Sequence, residues 1–392
     1  MQVFRALVKN AALNPPAASR VYAYAGIALY ESQARSTKQT STLVGQLNGL
    51  TGLTAPPSEA LDSQMVVNET LYTLAKGLFP KGVSVNPALL TTFYEQKRAR
   101  LQSSLETALF TRSQSYGAKL GQDLVKWSLT DQVQELREKS YLLPSRSGHP
   151  EYWQPTESNT TAVEPHWGKM RPFAIATAQT CQEPLPLSFS TEAGSAFYQQ
   201  GQAVLSQKAK LTPEQKAIAW WWADGAGTAT PAGHWVAIVG QIAQAKQLNG
   251  LETAKGYALT GIALADAFIG CWDLKYQVNL LRPETYIQEF MGQSFWKPLV
   301  KTPPFPEYPS GHSVSSAAVA EVLTALWGEQ SFVDTSNQDQ GYAPRSYSNF
   351  KVAAEEAAIS RLYGGIHFPA AIEAGLKQGR CVGQKLMQRI KL

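Results

Sequence analysis

The sequence predicts an all-α fold, and three observations lead to that prediction. Leu101, Leu105 and Leu109 recur every four residues, as on one face of a helix, and a similar apolar stripe occupies 116–127. The segment Thr-Pro-Glu-Gln at 212–215 has the N-cap threonine, first-turn proline and N3 glutamine of a helix start. Alternating strand patterns joined by hairpin turns are hard to find in the chain.

Composition indicates a folded chain with an extensive interior. Of its 392 residues, 44% are hydrophobic and only 17% are charged, whereas ~25% charged is usual for globular proteins. The net charge of +5 comes without a cluster of lysine or arginine, so nucleic acid is not an expected partner. We expect no membrane span, because apolar runs stay short of the ~18 residues needed, and the first residues are too interrupted for a signal peptide.

Proline divides the chain into three parts. Seven of the 23 prolines lie between Pro144 and Pro186, where they exclude long helices. We therefore expect an N-terminal helical half over 1–143, a proline-rich connecting segment over 144–200 and a helical core over 201–392. The connecting segment would lie across the body or join the two halves, and the whole chain could form one compact domain.

Cysteine usage is sparse. Cys181, Cys271 and Cys381 are far apart and form no CxxC pair. A disulfide framework or a zinc site is therefore not expected. A single bridge stays open, and the count does not identify the cellular compartment.

The C-terminal part of the chain holds three clusters that together suggest an oxyanion site. In the first, Arg282 follows Lys275 by seven residues, close to two helical turns, so both cations should share one helix face. Pro283 should then end or kink that helix and fix where the guanidinium emerges. A solvated basic stripe is the alternative, although most of the intervening residues are apolar.

The second cluster is a proline-rich approach at 303–309 followed by Ser310, Gly311 and His312. Ser310 stands where a helix N-cap is wanted, and a helix N-terminus offers free N–H groups and a positive dipole end to an anion. Gly311 lets backbone N–H groups approach a ligand closely. The alternative is a plain N-cap with a histidine in the first turn.

The third cluster joins Ser360 and Arg361 to Gly364, Gly365 and His367. On a continuous helix Arg361 and His367 would point to different faces, but the two glycines should break the helix. Both side chains can then turn toward one centre. The alternative is a C-capping Gly-Gly pair beside an ordinary core histidine.

Together the clusters offer three cations, a hydroxyl, backbone N–H groups and two imidazoles. Three buried cations without a partner would be costly, and a tetrahedral oxyanion would offset much of that cost through guanidinium contacts. Of the five histidines, only His312 and His367 stand in these motifs, where one can attack or ligate the central atom while the other moves protons. We interpret the others as structural, with His234 capping or packing at a helix start; these are His149, His166 and His234.

The motifs Lys-x6-Arg-Pro, Pro-Ser-Gly-His and Ser-Arg-x5-His, in that order, resemble those of the vanadium-dependent haloperoxidases. That family shares its fold and anion pocket with type 2 phosphatidic acid phosphatases and bacterial class A acid phosphatases. Segments at 14–32, 166–172, 220–225 and 227–235 also resemble bacterial haloperoxidases, which favours that branch. The resemblance implies a large helical-bundle fold with the anion site in a C-terminal four-helix-bundle-like core. It also implies a periplasmic or secreted location, and we expect a monomer.

By motif position, the resemblance implies orthovanadate as cofactor, with hydrogen peroxide and halide as substrates. His367 would be the single protein ligand to vanadium, and His312 would act as acid–base group on the opposite side. Lys275 would also polarise the bound peroxide. The residues that would hold the oxygens of vanadate are Lys275, Arg282, Ser310, Gly311 and Arg361.

Three further positions are implied by the resemblance. Trp272 and Phe305 fall where the family's halide-side aromatics lie. Phe305 resembles the fungal chloroperoxidase pattern, but flavobacterial iodoperoxidases resemble this chain at both positions, so the halide stays open, with iodide or bromide expected. Asp224 aligns with a buried carboxylate that pairs with the motif arginine. The alternatives are core packing for Phe305 and a turn residue in Asp-Gly for Asp224.

One position departs from the family pattern. Many relatives carry aspartate four residues after the last motif histidine, whereas this chain has Ala371 there, with Glu373 nearby. A carboxylate that braces the imidazole is therefore not assured, and the basicity of the ligand would change without one.

Three functions compete. Vanadate-dependent oxidation of halide to hypohalous acid is the leading hypothesis. The alternative is an acid phosphatase for small phosphomonoesters, in which His367 forms a phosphohistidine intermediate and His312 protonates the leaving group. A protein that only sequesters phosphate or vanadate is the third, and Ala371 favours it.

Overall fold

The structure, a computed structural model, describes residues 1–39, 41–158, 160–225 and 227–392. In these ranges it shows fourteen α-helices and one two-stranded antiparallel ladder, so the all-α prediction is confirmed. The helices are α1 (Gln2–Asn10), α2 (Pro15–Ser36), α3 (Ser63–Leu78), α4 (Pro87–Ser104), α5 (Thr107–Ser128), α6 (Val133–Glu138), α7 (Ala196–Ala209), α8 (Pro213–Trp221), α9 (Thr230–Ala245), α10 (Gly250–Val278), α11 (Pro283–Phe290), α12 (Gly311–Trp327), α13 (Phe350–Tyr363) and α14 (Pro369–Arg389). The strands are β1 (Phe332–Asp334) and β2 (Arg345–Tyr347).

Local sequence signals explain where several helices begin. The predicted capping box at the start of α8 is confirmed, since the Thr212 hydroxyl accepts the Gln215 N–H at 3.2 Å. The Gln215 side chain in turn accepts the Thr212 N–H at 3.1 Å. The apolar stripe over 116–127 is also confirmed and forms the buried face of α5.

The expected stripe of leucines at 101, 105 and 109 is wrong, because the chain does not form one helix there. α4 ends at Ser104, and Leu105 has an extended backbone before α5 begins. The hydroxyls of Ser103 and Ser104 donate to the carbonyls of Arg100 and Leu101. Such bonds compete with the helical hydrogen-bond pattern and favour a helix end.

The longest helix, α10, lies at the centre of the core. By length and composition it could cross a membrane, but 94% of its apolar window is buried inside the fold. α2 packs along it so closely that a Cβ at Gly26 would lie 2.5 Å from the Tyr257 carbonyl oxygen. The largest hydrophobic cluster therefore contains residues of α2 as well as of α10, α12 and α14.

The proline-rich segment runs over the surface of α10. The Asp266 carboxylate of α10 accepts the backbone N–H groups of Phe173, Ala174 and Ile175 at 2.6, 2.7 and 3.0 Å. A disulfide between Cys181 and Cys381 then ties the segment to α14. The segment thus connects the two helices, α10 and α14, that carry or follow parts of the predicted site.

Candidate active site

The three predicted clusters converge on one buried site at the ends of α10 and α13 and the starts of α11, α12 and α14. Each cation there is almost fully removed from solvent, with exposed fractions of 0% for Lys275 and Arg282 and 1% for Arg361. Ser310 is fully buried and His367 is 3% exposed. Such burial of three cations around two imidazoles fits a site that binds an anion.

Lys275 and Arg282 reach the site from two different elements, so the prediction of a shared helix face is wrong. α10 ends at Val278, because Asn279 takes the left-handed conformation with φ of 50° and caps the helix. Leu280 then pairs with Tyr152 in an isolated bridge. Arg282 is the N-cap residue of α11, so the following proline begins a helix rather than ending one.

Arg282 has one guanidinium nitrogen left for a ligand. Its Nε donates to the Phe305 carbonyl at 2.9 Å, and its Nη1 lies 3.0 Å from the Ile366 carbonyl and 3.1 Å from His367 Nε2. Nη2 is buried and has no partner within the described part of the chain. Burial lowers the pKa of Arg282 to about 10, so the side chain stays charged at neutral pH.

Lys275 organises the proline-rich approach to α12. Its Nζ donates to the carbonyls of Pro306, Glu307 and Pro309 at 2.9, 2.8 and 2.6 Å. An ammonium group has three N–H donors, so a contact to an oxyanion would require one of these bonds to be exchanged. Burial lowers the pKa of Lys275 to about 7, while the three carbonyl acceptors favour its charged form.

Ser310 is the N-cap of α12, as predicted. Its hydroxyl accepts the Ser313 hydroxyl at 2.9 Å and the Ser313 N–H at 3.4 Å. A Cβ at Gly311 would meet Trp272 at 3.5 Å, an ordinary contact, so packing within the protein does not itself demand glycine there.

His312 presents a second unpartnered atom. Its Nε2 is buried and has no hydrogen-bond partner among the described residues. Burial, with the charge of Arg361, lowers the pKa of this imidazole well below its usual range, and the Trp222 carbonyl opposes that effect. His312 is therefore a neutral imidazole whose Nε2 can accept a hydrogen bond. An anion bound beside it would raise its pKa and strengthen it as a base.

The third cluster takes the predicted form. α13 ends at Tyr363, and Gly365 follows with φ of 76°, a conformation that favours glycine. Arg361 donates through Nε to the Ser360 hydroxyl at 2.9 Å and through Nη2 to the Ala219 carbonyl at 3.2 Å. Burial lowers the pKa of Arg361 to about 10, so it too remains charged.

Glu307 is the functional residue that sequence reasoning missed. Its Oε1 lies 2.8 Å from His367 Nδ1 and also accepts the Phe368 N–H at 2.9 Å. Nδ1 of His367 is thus the protonated nitrogen, and Nε2 faces Arg282 as an acceptor. Burial and the charge of Arg282 lower the pKa of His367 well below its usual range, so the ring is neutral. Its Nε2 lone pair accepts the Arg282 Nη1–H at 3.1 Å, and a ligand at Nε2 would require that bond to be exchanged.

The missing aspartate is therefore replaced from another segment. Ala371 contributes only its carbonyl, which accepts the Ser310 N–H at 3.0 Å, and Glu373 is exposed. Burial raises the pKa of Glu307 to about 7, against the influence of Arg282. The sequence signal for this carboxylate is a glutamate in a segment flanked by prolines at 306 and 309. Such a segment is more typical of an exposed loop than of a buried site.

The predicted aromatic residues lie beside the cations. The Phe305 ring is 4.8 Å from that of Trp272. Lys275 Nζ lies 5.3 Å, and the Arg282 guanidinium carbon 4.9 Å, from the centre of the Phe305 ring. Phe305 therefore forms an apolar wall against two of the three cations.

Asp224 and His234 differ from expectation. Asp224 is buried, but its hydrogen-bond partner is His234 Nδ1, at 2.9 Å, instead of Arg361. His234 is neither a cap nor a plain packing residue, since Asp334 binds its other ring nitrogen at 2.7 Å. His149 and His166 lie at the surface, outside the site.

The arrangement suits a tetrahedral oxyanion. Two guanidinium groups and an ammonium supply positive charge, and the N-terminus of α12 adds its dipole. Arg282 Nη2 and His312 Nε2 are buried polar atoms of the kind that normally have a partner. The neutral Nε2 of His367 can serve as a ligand or as a nucleophile.

Comparisons with known proteins find vanadium haloperoxidases similar to this chain. The family model for the VCPO second helical-bundle domain matches residues 255–392. A vanadium chloroperoxidase from Curvularia inaequalis is 30% identical over 148 residues, a match that covers 31% of this chain and spans only 24% of that curated relative's length. The crystal structure described as the first bacterial vanadium-dependent iodoperoxidase superposes with a TM-score of 0.92 at 34% identity, covering 100% of this chain and 94% of that one. A bacterial vanadium-dependent chloroperoxidase in its holo form shares the fold, with a TM-score of 0.69 at 14% identity over 97% of this chain and 94% of its own.

Proposed function

Since this chain belongs to the vanadium-dependent haloperoxidase family, we propose that it binds orthovanadate and uses hydrogen peroxide to oxidise halide to hypohalous acid. The observation that carries the proposal is the state of His367. Its imidazole is neutral, its Nδ1–H is held by Glu307, and its Nε2 lies 3.1 Å from Arg282 Nη1. A single neutral imidazole in a cationic pocket suits an anionic metal centre better than a bare divalent cation.

The residues present fit vanadate. Arg282 Nη2 would donate to one of its oxygens, and the neutral His312 Nε2 would accept from one of its hydroxyl groups. Arg361 adds further N–H donors. His367 Nε2 would be the protein ligand. Bound vanadate would supply a Lewis-acidic centre that activates hydrogen peroxide toward halide, and the vanadium itself need not change its oxidation state.

The protein's own residues hold charge and move protons. Arg282 and Arg361 neutralise the anion, and their burial strengthens that attraction. His312 Nε2 accepts a proton from hydrogen peroxide as the peroxide binds and returns it when the halide is oxidised. Glu307 keeps the proton of His367 on Nδ1, so that Nε2 would be free of a proton and could hold vanadium. Lys275 fixes the loop that carries Phe305.

For the halide we propose iodide or bromide. Two features support this: the 34% identity to a structure described as an iodoperoxidase, and the apolar wall that Phe305 and Trp272 form beside the cations. Large, weakly hydrated halides lose less on transfer to such a wall than chloride does. Iodide is also the easiest of the three to oxidise.

The test is a peroxidase assay across chloride, bromide and iodide, run on protein freed of oxyanions and then on protein with added orthovanadate. We expect turnover with iodide, weaker turnover with bromide, and strict dependence on vanadate. No vanadate-dependent turnover with any halide would overturn the proposal.

A phosphatase is the second candidate, and one observation favours it. A neutral imidazole with a carboxylate on Nδ1 is also what a nucleophilic histidine needs. Vanadate-free protein should then cleave p-nitrophenyl phosphate, and vanadate should inhibit it. Oxyanion binding with neither activity would instead indicate a sequestering protein.

Removal of the carboxylate behind His367 should weaken vanadate binding. We expect Glu307→Ala to lower vanadate affinity by about 10–100-fold, since groups behind a metal ligand typically contribute that much. Glu307→Gln should lose less, because its amide oxygen can still accept the Nδ1–H. Calorimetric titration with orthovanadate measures both, and equal affinity for wild type and Glu307→Ala would contradict this role.

We propose that the protein functions in an oxidising compartment such as the periplasm or the cell exterior, because it contains a disulfide.

The disulfide bridge joins residues that are 200 positions apart in sequence. Loss of such a link typically costs about 2–5 kcal/mol of unfolding free energy. We expect Cys181→Ser/Cys381→Ser to lose that much unfolding free energy and therefore to unfold at a lower urea concentration than wild type. Reductant should shift the unfolding midpoint of the wild type only. An unchanged midpoint in the double variant would contradict the bridge.

A further inference from the structure

Two serines form a pair in the first turn of α12. The side chains of Ser310 and Ser313 are both fully buried. Ser310 Oγ accepts the Ser313 hydroxyl at 2.9 Å and the Ser313 N–H at 3.4 Å. The second bond is the ordinary contact of an N-cap residue, whereas the bond between the two hydroxyls is additional to it. Ser313 thus bonds Ser310 with its side chain as well as with its backbone.

These two bonds decide which role is left for the Ser310 hydroxyl. A serine hydroxyl has one O–H donor and two lone pairs that can accept. Ser313 engages both lone pairs of Ser310 Oγ, and the described part of the chain provides no acceptor for the Ser310 O–H. Because buried polar groups normally have a partner, this hydrogen is left for a ligand.

The Ser313 hydroxyl has a different partner from that of Ser315, the next buried serine hydroxyl in α12. Ser315 donates to two carbonyls of its own helix, at 2.9 and 3.3 Å, which is usual for a serine inside a helix. The carbonyl four residues before Ser313 is that of Pro309, and it already accepts Lys275 Nζ at 2.6 Å. The Ser313 hydroxyl therefore bonds Ser310 Oγ instead of a backbone carbonyl.

Helix α14 holds the serine pair in place. The Ser310 N–H donates to the Ala371 carbonyl at 3.0 Å. A Cβ at Gly375 would lie 2.7 Å from Ser313 Cβ and 2.8 Å from the Ser310 carbonyl oxygen. Such close packing leaves the backbone of both serines little freedom to move, so their hydroxyls stay within hydrogen-bond distance.

We propose that Ser313 is a positioning residue: it engages both lone pairs of Ser310 Oγ and so leaves that hydroxyl to donate its hydrogen to the bound oxyanion. Since the Ser310 hydroxyl can then only donate, it suits an unprotonated oxygen of the anion. Without the Ser313 hydroxyl, one lone pair is free and the Ser310 O–H can rotate toward other acceptors. The inference rests on the oxyanion site of the proposed function and does not require the peroxidase reaction.

A double-mutant cycle tests the inference through binding alone. Orthovanadate, and separately inorganic phosphate, is titrated calorimetrically into wild-type protein, Ser313→Ala, Ser310→Ala and the double variant. We expect Ser310→Ala to weaken oxyanion affinity by about 10–100-fold, the range for a hydrogen bond to a charged group. Ser313→Ala should weaken it by about 3–10-fold, as for a neutral hydrogen bond. In the Ser310→Ala background the same change should alter affinity by less than about twofold, because Ser313 acts through the missing hydroxyl.

Ser315→Ala is the matched control. It removes a buried hydroxyl of the same helix whose partners among the described residues are carbonyls of that helix, so oxyanion affinity should stay at the wild-type value. If Ser313→Ala weakens binding as much without the Ser310 hydroxyl as with it, its effect does not pass through Ser310 and the inference is wrong. Wild-type affinity in Ser313→Ala would also overturn the inference.

If Ser310→Ala does not fold, Ser310→Gly takes its place, because glycine removes the hydroxyl and is still a good N-cap residue. Wild-type protein that binds oxyanions without peroxidase activity would sink the proposed function and leave this inference standing. Vanadate-dependent turnover together with wild-type affinity in Ser313→Ala would do the reverse. Wild-type protein that binds neither oxyanion would overturn both.

Discussion

His367→Ala is expected to lose vanadate-dependent halide oxidation and most of its vanadate affinity. The change removes the nitrogen that would ligate vanadium, so its cost should exceed the ~10–100-fold typical of groups that only support a ligand. It also leaves Glu307 with the Phe368 N–H as its remaining donor at Oε1, which makes the pocket less favourable for a second anion. Turnover with iodide and calorimetric titration with orthovanadate measure the two effects separately.

The matched control for this variant is His149→Ala, which removes an exposed imidazole without touching the site. It should retain wild-type turnover and affinity. His367→Gln provides a second test, because an amide replaces the ring and can still donate toward Glu307 but is a poor ligand. Wild-type turnover in both His367 variants would exclude this residue as the vanadium ligand and with it the assignment of the site.

Convergence of the three clusters could be predicted from sequence because each cluster carries its own local signal. Ser310 follows a proline-rich approach and caps a helix, and Gly365 provides the left-handed residue that ends another. Those signals depend on neighbouring residues only. They therefore placed His312 and His367 correctly at helix boundaries before any long-range contact was known.

The geometry of the first cluster could not be predicted in the same way. A spacing of seven suggested one helix for Lys275 and Arg282, but Asn279 ends α10 between them. Asparagine can adopt the left-handed conformation, but its presence in a sequence does not predict that it does so. The bridge between Leu280 and Tyr152 joins segments far apart in sequence, so no local pattern indicates it. Tertiary pairing thus overrode a local periodicity.

The two carboxylate contacts that sequence reasoning missed share a cause. Glu307 is 60 positions from His367, and Asp334 is 100 positions from His234. Nothing in the neighbourhood of either carboxylate marks it as buried, since acidic residues in loops are usually solvated. Only the fold brings each one to its imidazole, so their roles become visible in the structure alone.

The relative position of the two site imidazoles depends on the contact between α12 and α14. His312 lies in the first turn of α12, and α14 begins two residues after His367. Three glycines at four-residue intervals let the helices approach: a Cβ at Gly375, Gly379 or Gly383 would lie 2.7, 2.2 or 2.6 Å from the nearest atom of α12 or its cap. At Gly379 that atom is the Val314 carbonyl oxygen, which belongs to backbone and cannot rotate away.

Gly379→Val should therefore destabilise the protein by about 3 kcal/mol or more, at the upper end for overpacked cores, and should weaken vanadate binding in whatever fraction remains folded. The helices must separate to admit the side chain, and that movement displaces His312 relative to His367. Urea unfolding and orthovanadate titration measure the two effects.

Lys385→Val is the control, because it places the same β-branched residue at an exposed position of α14 and should cost less than about 1 kcal/mol of helix propensity. Equal stability of the two variants would show that the contact between α12 and α14 is looser than these distances require, and that it does not fix the spacing of the two imidazoles.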